Sequence, residues 1–389
     1  MTLKKLFGRQ LKNLFSLLNG LVPKKDKNVV FITNPDFTGN GMAFYEYLKL
    51  HHEEYQLIWL LKADGIIPQG KDIYVKQKSI KALWLYVTSK YIVTTHNEMI
   101  GIKAYNQIYL SLWHGMPLKK IGYLTDTEAK KMEAFSAQRI ATSELMRAII
   151  ASSFKEDASN VHVLGQPRND YLFKSLNILS LHSQNKIINK KIFYMPTFRK
   201  NTSDDALSDG EAINHDNFLR VLDFNLTGLN IYLQKNNCQL FLKFHPYEEK
   251  LLPVEIESEN IKIITSDYCK KKNIEVNSIL AEADILITDY SSVYFDYLIL
   301  NKPIIFLIPD VENYSSQRGG YTLEPLDYWM PGKKVYSQHE LLNGIDELLS
   351  GNDNFRSKRE EVNSLINRFS DDKNSQRLYE KFFEANRNE

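Results

Sequence analysis

Cysteine is nearly absent, with only Cys238 and Cys269 among 389 residues. Two thiols build neither a disulfide framework nor a metal cluster, and their scarcity fits a reducing cytoplasm. No stretch reaches about 18 consecutive apolar residues, so no membrane-spanning helix is expected. The N-terminus lacks an apolar core followed by a small-residue cleavage site, which argues against a secretory signal. The chain has no Gly-x-x-x-x-Gly-Lys-Ser/Thr loop, no His-x-x-x-His metal spacing and no carboxylate pair for glycoside hydrolysis. Lys270 to Lys272 is a single short basic run without aromatic stacking partners, so nucleic acid is not an expected partner. No fixed-period repeat suggests a solenoid.

What remains is an ordinary globular composition, 43% hydrophobic and 25% charged with a net charge of +2, in a chain long enough for two domains. From residue 28 short apolar runs alternate with helical patterns. Strands are expected at Val29 to Thr33, Tyr55 to Leu61, Asp72 to Val75, Tyr91 to Thr95, Gln107 to Trp113, Arg139 to Thr142 and Val161 to Gly165. Helices are expected at Met42 to Leu50, Ile80 to Lys90, Thr127 to Phe135 and Glu144 to Ser153. After a polar stretch, Asn177 to Lys191, a second set begins with strands at Ile192 to Met195, Gln239 to Phe244 and Ile261 to Thr265, and a helix near Asn217 to Lys235. Glu340 to Leu349 and Phe355 to Phe383 read as helical. Alternation of this kind indicates parallel βαβ units, and two doubly wound domains place ligands at strand carboxyl ends, in a cleft between them.

The most informative stretch is 284–308. Ile285 to Thr288 is strand-like, Asp289-Tyr290-Ser291-Ser292 forms a polar turn, a helical pattern follows, and Ile304 to Ile308 is again apolar. Ser291 and Ser292 fall at a strand end and the first turn of a helix, where free N–H groups favour a phosphate. Other polar clusters also sit at strand ends: Trp113-His114-Gly115 with Lys119 and Lys120, Pro167-Arg168-Asn169-Asp170, Pro196-Thr197-Phe198-Arg199, Lys243-Phe244-His245-Pro246, and Arg318-Gly319. Two histidines with cations and hydroxyls suit transfer at an anionic diphosphate. At the N-terminus Leu3, Leu6, Phe7, Leu11, Leu14, Phe15, Leu18, Leu21 and Val22 recur at helical spacing, with Lys4, Lys5, Arg9 and Lys12 on the other face and Lys24, Lys25 and Lys27 beyond. That is a basic amphipathic helix suited to an anionic bilayer surface.

Taken together, Leu112 to Gly122, Gly165 to Asp170, Tyr194 to Arg199, Lys243 to Pro246, Thr288 to Asp296 with Lys302-Pro303, and Arg318-Gly319 with Pro331-Gly332 resemble the CDP-glycerol glycerophosphotransferase family, the teichoic-acid primases and polymerases and their capsule-synthesis relatives. The likeness runs in family order over about residues 28–380. Met116 stands where the family usually carries Thr or Ser, and Lys373 where it usually carries Gly. The resemblance implies an α/β fold of GT-B type, with two Rossmann-like doubly wound domains and the site in the cleft between them. It implies a peripheral enzyme on the cytoplasmic face of the cell membrane that moves glycerol phosphate or ribitol phosphate from a CDP-polyol to a lipid-linked acceptor, such as an undecaprenyl-linked saccharide or polyol phosphate, releasing CMP. A GT-B glycosyltransferase using a nucleotide sugar is the alternative.

On this reading residues 1–27 form the membrane-surface helix, 28–175 the acceptor domain, 186–375 the CDP-donor domain and 376–389 a closing helix. His114 is assigned as the base for the acceptor hydroxyl and His245 as the group that stabilises the diphosphate or protonates CMP. Thr197, Arg199, Asp289, Ser291, Ser292, Arg318 and Arg377 are assigned to donor and phosphate binding. Gly115, Lys119, Arg168 and Asp170 are acceptor-side or structural. No metal site and no tightly bound cofactor are expected, although a Mg²⁺ loosely held on the diphosphate is compatible with the set.

Overall fold

The computed structural model describes the chain apart from residues 1–2, 63–70, 175–176, 179–187, 199–216, 251, 253–255, 311–319 and 386–389, and apart from the side chains of residues 3–8 and Tyr247. Arg199, Arg318, Gly319 and the Asn201 to Asn214 loop therefore lie outside the described residues.

Two units make up the chain. The first comprises residues 1–116, 131–170 and 371–389, the second 117–130 and 171–370. In the first, strands β1 (Lys25–Ile32), β2 (Gln56–Leu61), β3 (Ile73–Lys76), β4 (Ser89–Thr94), β5 (Ile108–Ser111), β6 (Gln138–Ala141) and β7 (Val161–Val163) form one sheet in the order β3-β2-β1-β4-β5-β6-β7. Every pairing is parallel. In the second, β8 (Lys190–Tyr194), β9 (Cys238–Leu242), β10 (Ile261–Ile263), β11 (Ile285–Thr288), β12 (Ile304–Leu307) and β13 (Lys333–Val335) follow the order β10-β9-β8-β11-β12-β13, again all parallel. Both are doubly wound sheets. The strand order reverses between β1 and β4 and between β8 and β11, and the crevice outside such a reversal is where this architecture binds ligands.

Parallel strands buried on both faces need apolar runs, and these strands have them: Val29 to Ile32, Leu57 to Leu60, Ile285 to Ile287 and Ile304 to Leu307 are almost completely enclosed. Helix α1 (Leu3–Gly20), α2 (Gly39–His51), α3 (Ile80–Thr88) and α4 (Glu144–Phe154) accompany the first sheet. Ser79 caps α3 by accepting from the Ala82 amide and Ser143 caps α4 by accepting from the Met146 amide, as short hydroxyl side chains do at helix starts.

Three expectations shift. The helix expected from Asn217 begins at Leu226, because Asn217 closes a turn on Val221 and Asn225 supplies the cap. The helix expected over Thr127 to Phe135 is confined to Asp126–Ala129. The C-terminal region is broken into Arg356–Ile366 and Asn374–Tyr379, and the part from 371 onward belongs to the first unit rather than to the second. There Leu378, Tyr379, Phe382 and Phe383 fill the core beside Phe44, Tyr55 and Tyr91. The Phe383 ring stacks on Tyr91 with centroids 4.0 Å apart and meets Phe44 edge-on at 5.5 Å. Truncating a fully enclosed aromatic removes its transfer energy and leaves a cavity, so Phe383→Ala should cost about 3–5 kcal/mol in urea denaturation; a loss below about 1 kcal/mol would show that the terminal segment is only loosely docked.

Candidate active site

In the first unit the chain leaves β5 through a strained turn. Trp113 is in the left-handed region at φ 52° and Gly115 lies at φ 146°, conformations that cost most residues free energy and persist only when their surroundings fix them. The surroundings do so. The buried Asn40, at the start of α2, donates from Nδ2 to the carbonyls of Leu112 and Trp113, each at 3.0 Å, and accepts from the Arg168 amide at 3.2 Å. Arg168 in turn donates from Nη1 to the His114 carbonyl at 2.6 Å. At φ 146° a side chain here would be strained whatever the space, and a Cβ would also sit 3.0 Å from the Arg168 guanidinium, which would have to shift. Arg168 and Gly115 thus hold the turn that presents His114.

The His114 side chain is exposed at its outer edge, while its ring faces are walled by Trp113 (centroids 4.2 Å apart) and His96 (4.4 Å apart, planes within 12°). Loss of solvent against these walls, the neighbouring His96 and the Arg168 cation push its pKa down to about 3, with a hydrogen bond to the Thr95 backbone opposing them. His96 is a residue the sequence reading passed over, yet its signal was present: like His114, it lies just past the end of a parallel strand, two residues after Thr94 where His114 is three after Ser111.

Asp170 acts at a distance from this turn. Its carboxylate accepts from the backbone amides of Asn374 and Ser375, each at 2.9 Å, and from Asn374 Nδ2 at 2.8 Å, capping the Asn374–Tyr379 helix. Gly165, at φ 80°, leaves room for Asn374, whose Oδ1 would lie 1.8 Å from any Cβ there. Arg377 lies in the same helix and in the first unit. Its guanidinium donates to Asp371, Asn374 and the Leu164 carbonyl, so its place is a brace beneath that helix. Lys119 is in the second unit, where its backbone bridges to Tyr321.

In the second unit the loops after β8 and β11 meet at the strand-order reversal. The Thr197 amide donates to Asp289 Oδ1 at 2.7 Å, and the same oxygen accepts from the Ser291 amide at 3.2 Å. Thr288 Oγ1 donates to the Met195 carbonyl at 2.7 Å. Asp289 is buried and gathers the two loops, while Ser291 and Ser292 remain half-buried ahead of a helix of only five residues, Val293–Tyr297.

His245 follows β9. Its ring is exposed and lies 4.5 Å from Phe198 between centroids. Partial desolvation and the Lys243 cation lower its pKa, with Glu249 opposing. Its turn is held from beneath: the His245 carbonyl accepts from the amides of Glu248 and Glu249, Lys243 pairs with Glu249 at 2.5 Å, and Arg220 pairs with Glu248 at 2.5 Å. All four of these side chains are largely buried. Among the described residues no group of three His, Cys, Asp or Glu side chains is placed to hold a metal ion.

The family model of CDP-glycerol:poly(glycerophosphate) glycerophosphotransferases matches residues 14–384. The chain belongs to this family. It is 30% identical over 355 residues to the teichoic acid poly(glycerol phosphate) polymerase of Bacillus spizizenii, covering 84% of each chain. It is 29% identical to that organism's teichoic acid poly(ribitol-phosphate) polymerase, covering 90% of this chain and 55% of the relative, and it spans 47% of the poly(glycerol phosphate) polymerase of Bacillus subtilis. Among solved structures, a variant of the wall teichoic acid polymerase TagF shares the fold with a TM-score of 0.76 at 22% identity, covering 98% of this chain and 95% of that one. The UDP-GlcNAc 2-epimerase of Neisseria meningitidis shares it more distantly, with a TM-score of 0.51 at 12% identity and coverage of 92% and 100%. The chain is thus a transferase of this family on the two-sheet α/β fold.

His162 resembles His114 electrostatically: burial, Lys381 and Arg147 lower its pKa to about 4. Unfolded, both imidazoles titrate near 6.5. Below that pH the unfolded chain binds protons that the folded chain refuses, so stability is fully present above pH 6.5 and declines as pH falls toward 4. The urea midpoint should therefore drop between pH 7 and pH 5, and drop less in the His114→Gln/His162→Gln double variant; equal drops would show that these histidines are not held neutral.

Proposed function

We propose that this protein moves glycerol phosphate or ribitol phosphate from a CDP-polyol to a hydroxyl of a lipid-linked acceptor. The observation that carries the reading is His114, an imidazole presented on a strained, clamped turn at a parallel strand end. In the proposed step the acceptor oxygen bonds to the β-phosphorus, the bond from that phosphorus to the bridging oxygen breaks, CMP leaves with the electron pair, and the hydroxyl proton passes to His114. An imidazole whose pKa is low in the free protein is a weak base, but an anionic diphosphate close by favours its protonated form. The base therefore strengthens when the donor arrives. His245 serves the departing phosphate, and the Thr197–Asp289 clasp with Ser291 and Ser292 supplies hydrogen-bonding groups to the donor. Arg199 and Arg318 are proposed to balance phosphoryl charge. Family membership and the similarity to polymerases of both polyol phosphates support the reaction class without choosing the polyol.

The reading extends to where the acceptor resides. Helix α1 is attached to the first unit by its polar side: Lys12 pairs with Glu133, Ser16 Oγ donates to the Lys103 carbonyl, and Asn19 Nδ2 donates to the Ile102 carbonyl and to Gln107. Leu11, Leu14, Phe15, Leu17, Leu18 and Leu21 are left exposed, Leu21 at 79%. No helix among the described residues is long and apolar enough to cross a membrane. An outward apolar stripe of this size next to Arg9, Lys25 and Lys27 suits the interfacial layer of an anionic bilayer, and it supports the proposal that the enzyme works at the cytoplasmic face of the cell membrane.

Two experiments test these proposals. Purified protein given CDP-glycerol or CDP-ribitol with a lipid-linked acceptor should release CMP from one of them, and His114→Ala should lower that rate roughly 10²- to 10⁴-fold. No CMP from either donor, with several acceptors and folded protein, would favour a nucleotide-sugar reaction instead. In flotation with vesicles rich in phosphatidylglycerol, the wild type should float and the Leu14→Glu/Leu18→Glu/Leu21→Glu variant should stay in solution; equal flotation would remove α1 as the contact.

A further inference from the structure

We infer that His96 is a positioning residue for His114, a stacked imidazole that fixes the plane in which the base meets the acceptor hydroxyl. This rests on the reading of His114 as that base. Strands β4 and β5 are neighbours, with Thr94 opposite Ser111, so their continuations carry His96 and His114 out of the sheet side by side. The rings lie 4.4 Å apart between centroids and within 12° of parallel, a flat contact that restricts rotation of either ring. Nothing in the chemistry of transfer requires a second imidazole here. Its use lies in what holds it.

His96 is fixed at several points. Its Nδ1 is 3.0 Å from Thr95 Oγ1, and its amide donates to Glu98 Oε2 at 2.8 Å. Glu98 pairs with Lys62 at 3.1 Å, and its carbonyl accepts from the Tyr109 hydroxyl at 2.6 Å. The next residue, Asn97, is in the left-handed region at φ 57°. Its Oδ1 accepts from Ser111 Oγ at 2.7 Å and from Arg139 Nη1 at 2.9 Å, and Arg139 is paired with Glu156 at 3.1 Å by side chains only 3% and 2% exposed. A buried ion pair thus anchors the loop on which the His96 ring rests.

The charged and titratable groups facing the pair are Arg168 beside His114, and Glu98 with Lys62 beside His96. When His114 takes the proton, the face of a neutral His96 borders the new cation, and Glu98 lies just beyond it. Orientation is therefore kept through the charge change, and orientation is where a small displacement costs most in rate.

The test compares His96→Ala with His96→Phe, which keeps a flat ring and removes both nitrogens. His96→Ala should lower kcat roughly 10- to 100-fold with the donor KM unchanged, and His96→Phe should restore most of it. In histidine-labelled protein without substrate, the His114 resonances should begin to titrate closer to pH 6.5 in His96→Ala, because the ring gains solvent. A wild-type kcat in His96→Ala, or a His96→Phe variant as slow as His96→Ala, overturns the inference. If His114→Ala itself proves active, the base reading has failed, and the resonances alone decide: a moved His114 midpoint upholds the positioning contact, an unmoved one overturns it.

Discussion

A parallel strand enclosed on both faces can offer polar chemistry only at its ends. That constraint governs both units of this protein. With Val, Ile, Leu and aromatic residues committed to the interior, the candidate site residues, among them His114, His245, Thr197 and Asp289, are gathered into the loops that leave the strands, and those loops must satisfy their own buried backbone groups there. The structure solves this with side-chain clasps. Asn40 spans the carbonyls of Leu112 and Trp113, Asp289 gathers the amides of Thr197 and Ser291, and Thr288 reaches the Met195 carbonyl. Each clasp joins loops from different strands, so the geometry of the chemistry-bearing turns is inherited from the sheet.

The two histidines illustrate different ways of being held. His114 sits on a backbone that is unfavourable by itself and depends on Asn40 and Arg168 to persist. His245 sits on an ordinary turn whose support is electrostatic, through Lys243 with Glu249 and Arg220 with Glu248. Losing one partner of such a buried pair is more damaging than never having had it, so the residues beneath His245 are as constrained as the ring above them.

Strand positions and the grouping of polar clusters at strand ends were legible in the sequence, because period and composition are local signals. The stretch 284–308 reads as it folds, and the resemblance to the glycerophosphotransferases is borne out by the family match. Several things were not legible. β13 is three residues long and the helices Ser266–Lys272 and Val276–Glu282 seven each, too short to announce a period. That the helix carrying Arg377 joins the first unit was not legible either, because motif order carries no information about which unit a helix joins; its bonds to Asp371 and Leu164 are set by tertiary packing. His96 was overlooked because its partner lies on the neighbouring strand, a relation set by register. Pattern reading found the apolar stripe of α1, but it placed Lys12 on a free basic face, whereas Lys12 is tied to Glu133.

The return of residues 371–385 to the first unit affects how the chain is made. Asp170 and the Asn374 that it caps are 204 positions apart, and Phe382 and Phe383 belong to a core that they, Leu378 and Tyr379 share with strands of the first sheet and with α2. On the ribosome, the first sheet would emerge with that cavity unfilled and wait while the whole second unit is translated. Domains usually complete themselves in order of synthesis; here the unit begun first is finished last, and its exposed aromatic pocket is the surface that a nascent-chain chaperone would meet.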